Sequence, residues 1–372
     1  MKYYFKIILL FFFCEINVIF LQAQENNVQV ISMQKAVETA INNNPLIEIT
    51  SLEIEIQTLQ NSETIILAPR KFNFTPNNLI ESQINNNYEI VINFDSKLFF
   101  SKNSEYSSLL SSLKTQEAKL FKKEITKEVK TIFNNWIFLI NKTRIINQQI
   151  QNTYELKSII DNKYKLGDID FSKKIETDAK LAQVSSKFQI LKDELLKTEN
   201  KLSQITNTEG NFVPENDSLK IYKITFASNL SDKFSFTNML DYYQTFCKIA
   251  ETNFKLKNSK LFPNKQKIKK ALLTKQIALN NYNYQKFYIS KTINNLIINL
   301  NQYQNQLAYY HEIGLENTIL LQDISALKLK KEEIDYLEYL ESTNNTLNIK
   351  LQYLTVLKNY NNTAILLESY LN

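Results

Sequence analysis

Two short segments decide how this chain folds: Lys165-Leu166-Gly167-Asp168-Ile169-Asp170-Phe171 and, 165 residues later, Lys330-Lys331-Glu332-Glu333-Ile334-Asp335-Tyr336. Both have a basic lead-in, an acidic residue and an Ile-Asp-aromatic exit, and each closes a long run without proline. Ahead of Gly167, residues Phe121, Ile125, Val129, Ile132, Trp136, Leu139, Ile146 and Ile150 recur at helical spacings. One helix is therefore predicted from about Ser104 to Leu166. At a rise of 1.5 Å per residue it would span roughly 90 Å, too long for a compact domain. Beyond the turn, Asp170 can cap a second helix, in which Leu181, Val184, Phe188, Leu191, Leu195, Leu202 and Ile205 keep a coiled-coil-like spacing of three and four. The later segment has matching neighbours. A helix is predicted over about 265–329, with Gly314 inside it at a cost of about 1 kcal/mol. A last helix, about 334–370, carries Leu340, Leu347, Leu351 and Leu354 on one face. The chain thus reads as mainly α: long antiparallel helices in two pseudo-repeats, an internal duplication.

Composition agrees. Of 372 residues 44% are hydrophobic and 22% charged, which excludes a disordered chain, while three Gly and five Pro leave little for tight turns or phosphate loops. One His and two Cys are too few for a zinc, haem or iron–sulfur site, and nothing resembles a nucleophile with its base, so no enzyme, cofactor or metal is expected. The net charge of +6 reads as scattered over helix surfaces rather than gathered into a nucleic-acid patch. Lys2 and Lys6 followed by the apolar Ile7–Cys14 read as a secretory signal over 1–23, with a membrane anchor as the alternative. The predicted domains are 24–206 as the first repeat, 207–233 as a linker holding Gly210 and Pro214, and 234–372 as the second repeat.

One stretch reads differently. Tyr88, Ile90, Ile92 and Phe94 alternate with Glu89, Val91 and Asn93, a strand period, and the preceding residues can pair with it as a β-hairpin at about 72–98. That alternation suits a barrel wall and equally a soluble hairpin packed on helices.

Long helix pairs, a hairpin, duplication and a signal together resemble the TolC-like outer-membrane efflux family. The resemblance rests on Ser32–Ile41 with Asn43-Asn44-Pro45, on Tyr164–Asp170, and most of all on Glu333–Leu340 followed by Ile349–Leu354 and Leu357–Asn361. The last run is similar to the branch that serves heavy-metal-type resistance–nodulation–division (RND) pumps. The resemblance implies a homotrimer with a periplasmic α-barrel and an outer-membrane β-barrel in lipid. An adaptor and an inner-membrane RND pump would dock at the turns, namely at Gly167, Asp168, Asp170, Glu332, Glu333 and Asp335. It also implies a periplasmic gate at Glu338 and Glu341, whose carboxylates would favour cations. The plainer roles are exposed helix charges for the two glutamates and N-caps for Asp170 and Asp335.

The chain departs from the family pattern in its second half. Pro69 lies 98 residues before Gly167, but Pro263 lies only 69 before Glu332. The shortfall of 29 matches the hairpin, and Asn264–Lys270 is basic and helical instead. Glu332 in place of the turn glycine points the same way, because glutamate suits a left-handed position poorly. Two functions therefore stand: an export channel component, degenerate if no full pore closes, or a soluble periplasmic helical scaffold or adaptor-like protein that has lost the pore.

Overall fold

The computed structural model describes residues 28–62, 104–209, 211–224, 237–258 and 264–371. The expected signal at 1–23 and hairpin at about 72–98 lie outside them. The elements in order are β1 (Val28–Ile31), α1 (Met33–Asn43), α2 (Pro45–Ser62), α3 (Ser104–Leu166), α4 (Phe171–Thr206), β2 (Asn211–Pro214), α5 (Thr237–Asn258) and α6 (Lys265–Tyr309). A π turn at Tyr310–Gly314, α7 (Leu315–Lys330) and α8 (Tyr336–Leu371) complete the chain. The fold is mainly α, as the periodicity predicted, and α3 has the bounds read from sequence.

Local chemistry sets the helix ends. Ser32 accepts from the Lys35 N–H at 3.2 Å and opens α1; Asn44 accepts from the Leu46 N–H at 2.9 Å, and Pro45 takes the first helical position of α2. Asn264 accepts from Lys267 N–H at 3.1 Å and starts α6, so Lys265–Lys270 is helical as expected.

The chain divides into two compact units. One gathers Met1–Ile47, Leu120–Thr237 and Phe287–Asn372. One of its cores joins Ile31, Ala36 and Ala40 to Ile125, Val129, Phe133, Trp136 and Ile137 of α3, Leu202 of α4 and Phe212 of β2. Trp136 is fully buried, as its place on the stripe suggested, and donates its indole N–H to Glu199 at 3.2 Å. The strands β1 and β2 pair in parallel, Val28 opposite Asn211 through Ile31 opposite Pro214. Sequence reading assigned no strand here and treated 207–233 as linker. Four residues each give too short a period to stand out, and the pair is made only by tertiary contact. The segment after β2 is tied down as well: Asn361 donates to the Lys220 carbonyl at 2.8 Å and accepts from the Tyr222 N–H at 2.8 Å.

Within this unit, side-chain contacts run from α4 to α3, from α3 to α8 and from α8 to α7. Lys157 pairs with Asp178 between α3 and α4. Asn134 and Asn361, both buried, bond at 2.9 Å between α3 and α8. Ser325 meets Ser342 at 2.8 Å between α7 and α8. The outer faces of α4 and α7 keep large apolar side chains exposed, among them Ile190 and Leu196 on α4 and Ile319, Leu320 and Leu327 on α7.

The second unit gathers Glu48–Lys119 and Asn238–Lys286. Tyr106 and Leu113 of α3 pack there with Ile249 of α5, flanked by Tyr242, Phe246 and Leu256.

The π turn explains how Gly314 is accommodated. Towards the second turn segment, Thr318 corresponds to Thr153 at the 165-residue offset; both are buried, and each donates its hydroxyl to the carbonyl four residues back, Gly314 and Gln149. On the other side, the buried Ile289, Ile293 and Leu300 correspond to the buried Ile125, Val129 and Trp136 at an offset of 164. The second repeat therefore holds one extra residue between Leu300 and Thr318. A single i→i+5 turn absorbs it without rotating the buried stripe. Gly314 was expected inside a regular helix; it closes this turn, where an added Cβ would come within 2.9 Å of the Tyr310 ring.

Candidate functional site: the two helix turns

At the end of α3, Gly167 adopts φ +82, and paired backbone bonds close the helix: Gly167 N–H to Tyr164 O at 3.0 Å and Asp168 N–H to Lys163 O at 2.9 Å. This is the Schellman arrangement. The same pair recurs 165 residues on, with Glu332 N–H to Leu329 O at 3.1 Å and Glu333 N–H to Lys328 O at 2.9 Å. Glu332 has φ +59, so it takes the left-handed position despite its side chain, and replacement of the glycine has not altered the turn. Lysines fill both last turns, Lys163 and Lys165 on α3 and Lys328 and Lys330 on α7, where they complement the helix dipole.

The two aspartates expected as caps differ. Asp335 accepts from the Glu338 N–H at 2.9 Å and is a true N-cap. Asp170 stands at the cap position of α4 with an extended backbone, but its side chain makes no cap bond. Asp335 also pairs with Lys163 at 3.0 Å, which joins the second turn to the end of α3. The Glu338 N–H, aided by the Lys163 ammonium, holds the Asp335 carboxyl below the usual range. Next to it the Tyr336 hydroxyl donates to Glu155 at 2.6 Å, and that bond pushes the phenol's pKa up. Beneath these polar ties Leu156, Ile160 and Leu340 form a small buried cluster. Both turns thus lie at one end of the first unit. Sequence reading missed Lys163, Glu155 and Tyr336, because nothing in a linear pattern signals a pair 172 or 181 residues apart.

Glu332, Glu333, Asp335 and Glu338 share an open depression of about 460 Å³ with Leu329 and Ile334. Glu338 is exposed and Glu341, one turn further along α8, is half-buried. Their counterparts on α4, Lys173 and Glu176, neutralise each other at 3.5 Å. The first turn therefore offers Asp168 and an exposed Asp170, and the second a denser acidic surface. No group of His, Cys, Asp and Glu able to hold a metal occurs among the described residues.

The path of the backbone resembles that of three solved proteins. CusC, described for conformational changes accompanying folding and transmembrane channel formation, matches with a TM-score of 0.69 at 12% identity, over 93% of each chain. The outer-membrane channel OprN matches at 0.68 and 11%, over 91% of this chain and 90% of that one. The open MtrE outer-membrane channel of Neisseria gonorrhoeae matches at 0.67 and 12%, over 91% and 88%. The chain has a TolC-like fold. No known sequence family matches it, and no characterised protein matches it in sequence. At this identity the TolC-like assignment is one of backbone: it agrees with the order of helices and turns read from the sequence and leaves the roles of single residues to chemistry.

Proposed function

We propose that the protein is the outer-membrane channel component of a tripartite efflux system, with most of the chain in the periplasm. It exports small molecules or metal ions delivered by an inner-membrane RND pump through a periplasmic adaptor. The observation that carries this reading is the backbone match over about nine-tenths of the chain to three channel proteins. The exposed apolar side chains on α4 and α7 support a homotrimer, since those two faces can meet head to tail between neighbouring copies and close a ring. In that ring the turn residues Gly167, Asp168, Asp170, Glu332, Glu333 and Asp335 form the docking end. Of them Asp335 is already engaged by Lys163 and serves mainly to shape the turn. Glu338 and Glu341 line the periplasmic gate, where three copies of each would repel anions.

A second reading rests on the 29-residue shortfall before the second turn. With two strands per chain a trimer supplies six, below the eight of the smallest known single-chain barrels. A barrel that does not close leaves backbone groups unpaired in lipid at several kcal/mol each. A periplasmic scaffold without a pore would result. Fractionation separates the two: recovery with the outer membrane supports the channel component, and release by osmotic shock supports the scaffold. Purified protein in planar bilayers then tests the pore. Absent or poor conductance is expected, and steady channels abolished by deleting residues 73–93 would overturn the missing-hairpin argument.

A further inference from the structure

Charge along this chain is not scattered as its composition suggested. From Thr252 to His311 there is no acidic residue at all, whereas the chain's 38 in 372 would place about six in sixty residues. The same stretch carries ten lysines. Lys255 and Lys275 both turn to the bordering Glu251, at 3.6 and 3.4 Å. Lys265, Lys267, Lys269 and Lys270 are all exposed, and none forms an ion pair with a described residue. They crowd the first turns of α6, where the helix dipole is itself positive, so no described residue offsets their repulsion. At the 164-residue offset that holds before the π turn, the first repeat has Ser101, Asn103, Glu105 and Tyr106, no lysine against four. The basic surface is therefore peculiar to the repeat whose hairpin is missing, and it stands where that hairpin would begin.

We propose that Lys265, Lys267, Lys269 and Lys270 dock the chain on the phosphate-bearing headgroups of an anionic membrane surface, a peripheral contact in place of the second pair of barrel strands. The assignment rests on the outer-membrane reading above. Charge complementarity selects the partner. Lysine is a compact, hydrated point charge suited to a diffuse field of phosphates, and the stretch from Thr252 to His311 holds no arginine for forked, bidentate recognition of a single anionic group. Leu273 and Ile277 follow on the exposed stripe that Lys269 and Lys270 begin, so apolar side chains stand behind the charges to meet the acyl boundary.

Flotation of the purified full chain with vesicles tests this. Wild-type protein should bind vesicles of about 30% phosphatidylglycerol in phosphatidylcholine, and the contribution should fade between about 0.05 and 0.5 M salt. Each lysine near such a surface raises partitioning roughly fivefold. K265Q/K267Q/K269Q/K270Q should therefore lose up to about 600-fold, and K265Q/K267Q up to about 25-fold, with helical circular dichroism unchanged in both. K180Q/K187Q/K192Q/K197Q on α4 removes the same charge elsewhere and should cost less than about threefold. Equal loss in the two quadruple variants, or equal binding to anionic and pure phosphatidylcholine vesicles, overturns the proposal. Patch-dependent binding to polyglutamate without binding to vesicles reassigns the surface to an acidic protein and overturns it too. Release of the protein by osmotic shock from cells would instead overturn the outer-membrane reading, and the vesicle result would still report on the lysines.

Discussion

Glu332 holds a backbone position that ordinarily belongs to glycine, with φ +59, and its turn still closes with both Schellman bonds. A side chain there costs the folded state about 1 kcal/mol or more. Glu332→Gly should therefore raise stability by about 1 kcal/mol, less the extra entropy of the unfolded glycine, and denaturant unfolding would show it. Asp335 makes a different contribution. Its folded pKa lies below that of an unfolded aspartate, because the Glu338 N–H and Lys163 favour the carboxylate. The stability it adds is thus fully present above the unfolded value of about 3.9 and is lost as pH falls through the lower folded value. Asp335→Asn keeps a capping oxygen and discards the charge, so melting curves should show wild type losing more stability than the variant below about pH 4. The effect will be modest, since both partners are more than a third exposed and water screens the pair. A change at Asn134 would be more costly. It is buried and bonded to Asn361 at 2.9 Å and Asn362 at 2.7 Å, and Asn134→Ala should destabilise by about 2 kcal/mol by leaving amides unpaired, measurable by thermal unfolding.

The π turn is a property of the element rather than of any residue in it. It reconciles one surplus residue with a stripe that stays buried on both sides of the turn, so removing that residue should be tolerated. Deleting Gly314 is expected to convert Leu300–Thr318 into continuous α-helix at a change of about 1 kcal/mol or less. Deleting Asn294, in regular helix, rotates the following stripe by about 100° and should abolish cooperative unfolding. The two deletions compared by circular dichroism melts check this; equal damage would show that the turn does not act as a register device. The deletion series also tests the duplication, which assigns the surplus residue to the second repeat alone.

At the scale of the whole molecule, assembly matters most. The apolar side chains exposed on α4 and α7 cannot be explained by packing within the unit that holds them. If the proposed trimer forms through these faces, introducing charge there, as in Leu320→Glu with Ile324→Glu, should leave helicity intact and yield monomer in mass measurements where wild type gives trimer, as a buried like-charge ring across three copies would cost several kcal/mol. Retention of the trimer would mean that α7 faces solvent.

Sequence by itself determined the helices, their breaks and the duplication, because each has a local cause. The stripe from Phe121 to Ile150 repeats at helical spacing, Ser32 and Asn264 offer capping oxygens, and the two Ile-Asp-aromatic turns are a short motif repeated. The order of these features pointed to the TolC-like fold that the backbone adopts. Tertiary structure alone decided the β1–β2 pair, whose strands lie 183 residues apart in the register Val28 to Asn211, and the ties Lys163–Asp335 and Glu155–Tyr336 across the turns. It alone decided the π turn, since a single inserted residue leaves no mark until both sides of a helix are seen to pack. The division has a simple physical origin. Helix formation and capping are settled within a few residues by hydrogen bonds and side-chain direction, whereas pairing between distant segments depends on which surfaces the packed helices bring face to face.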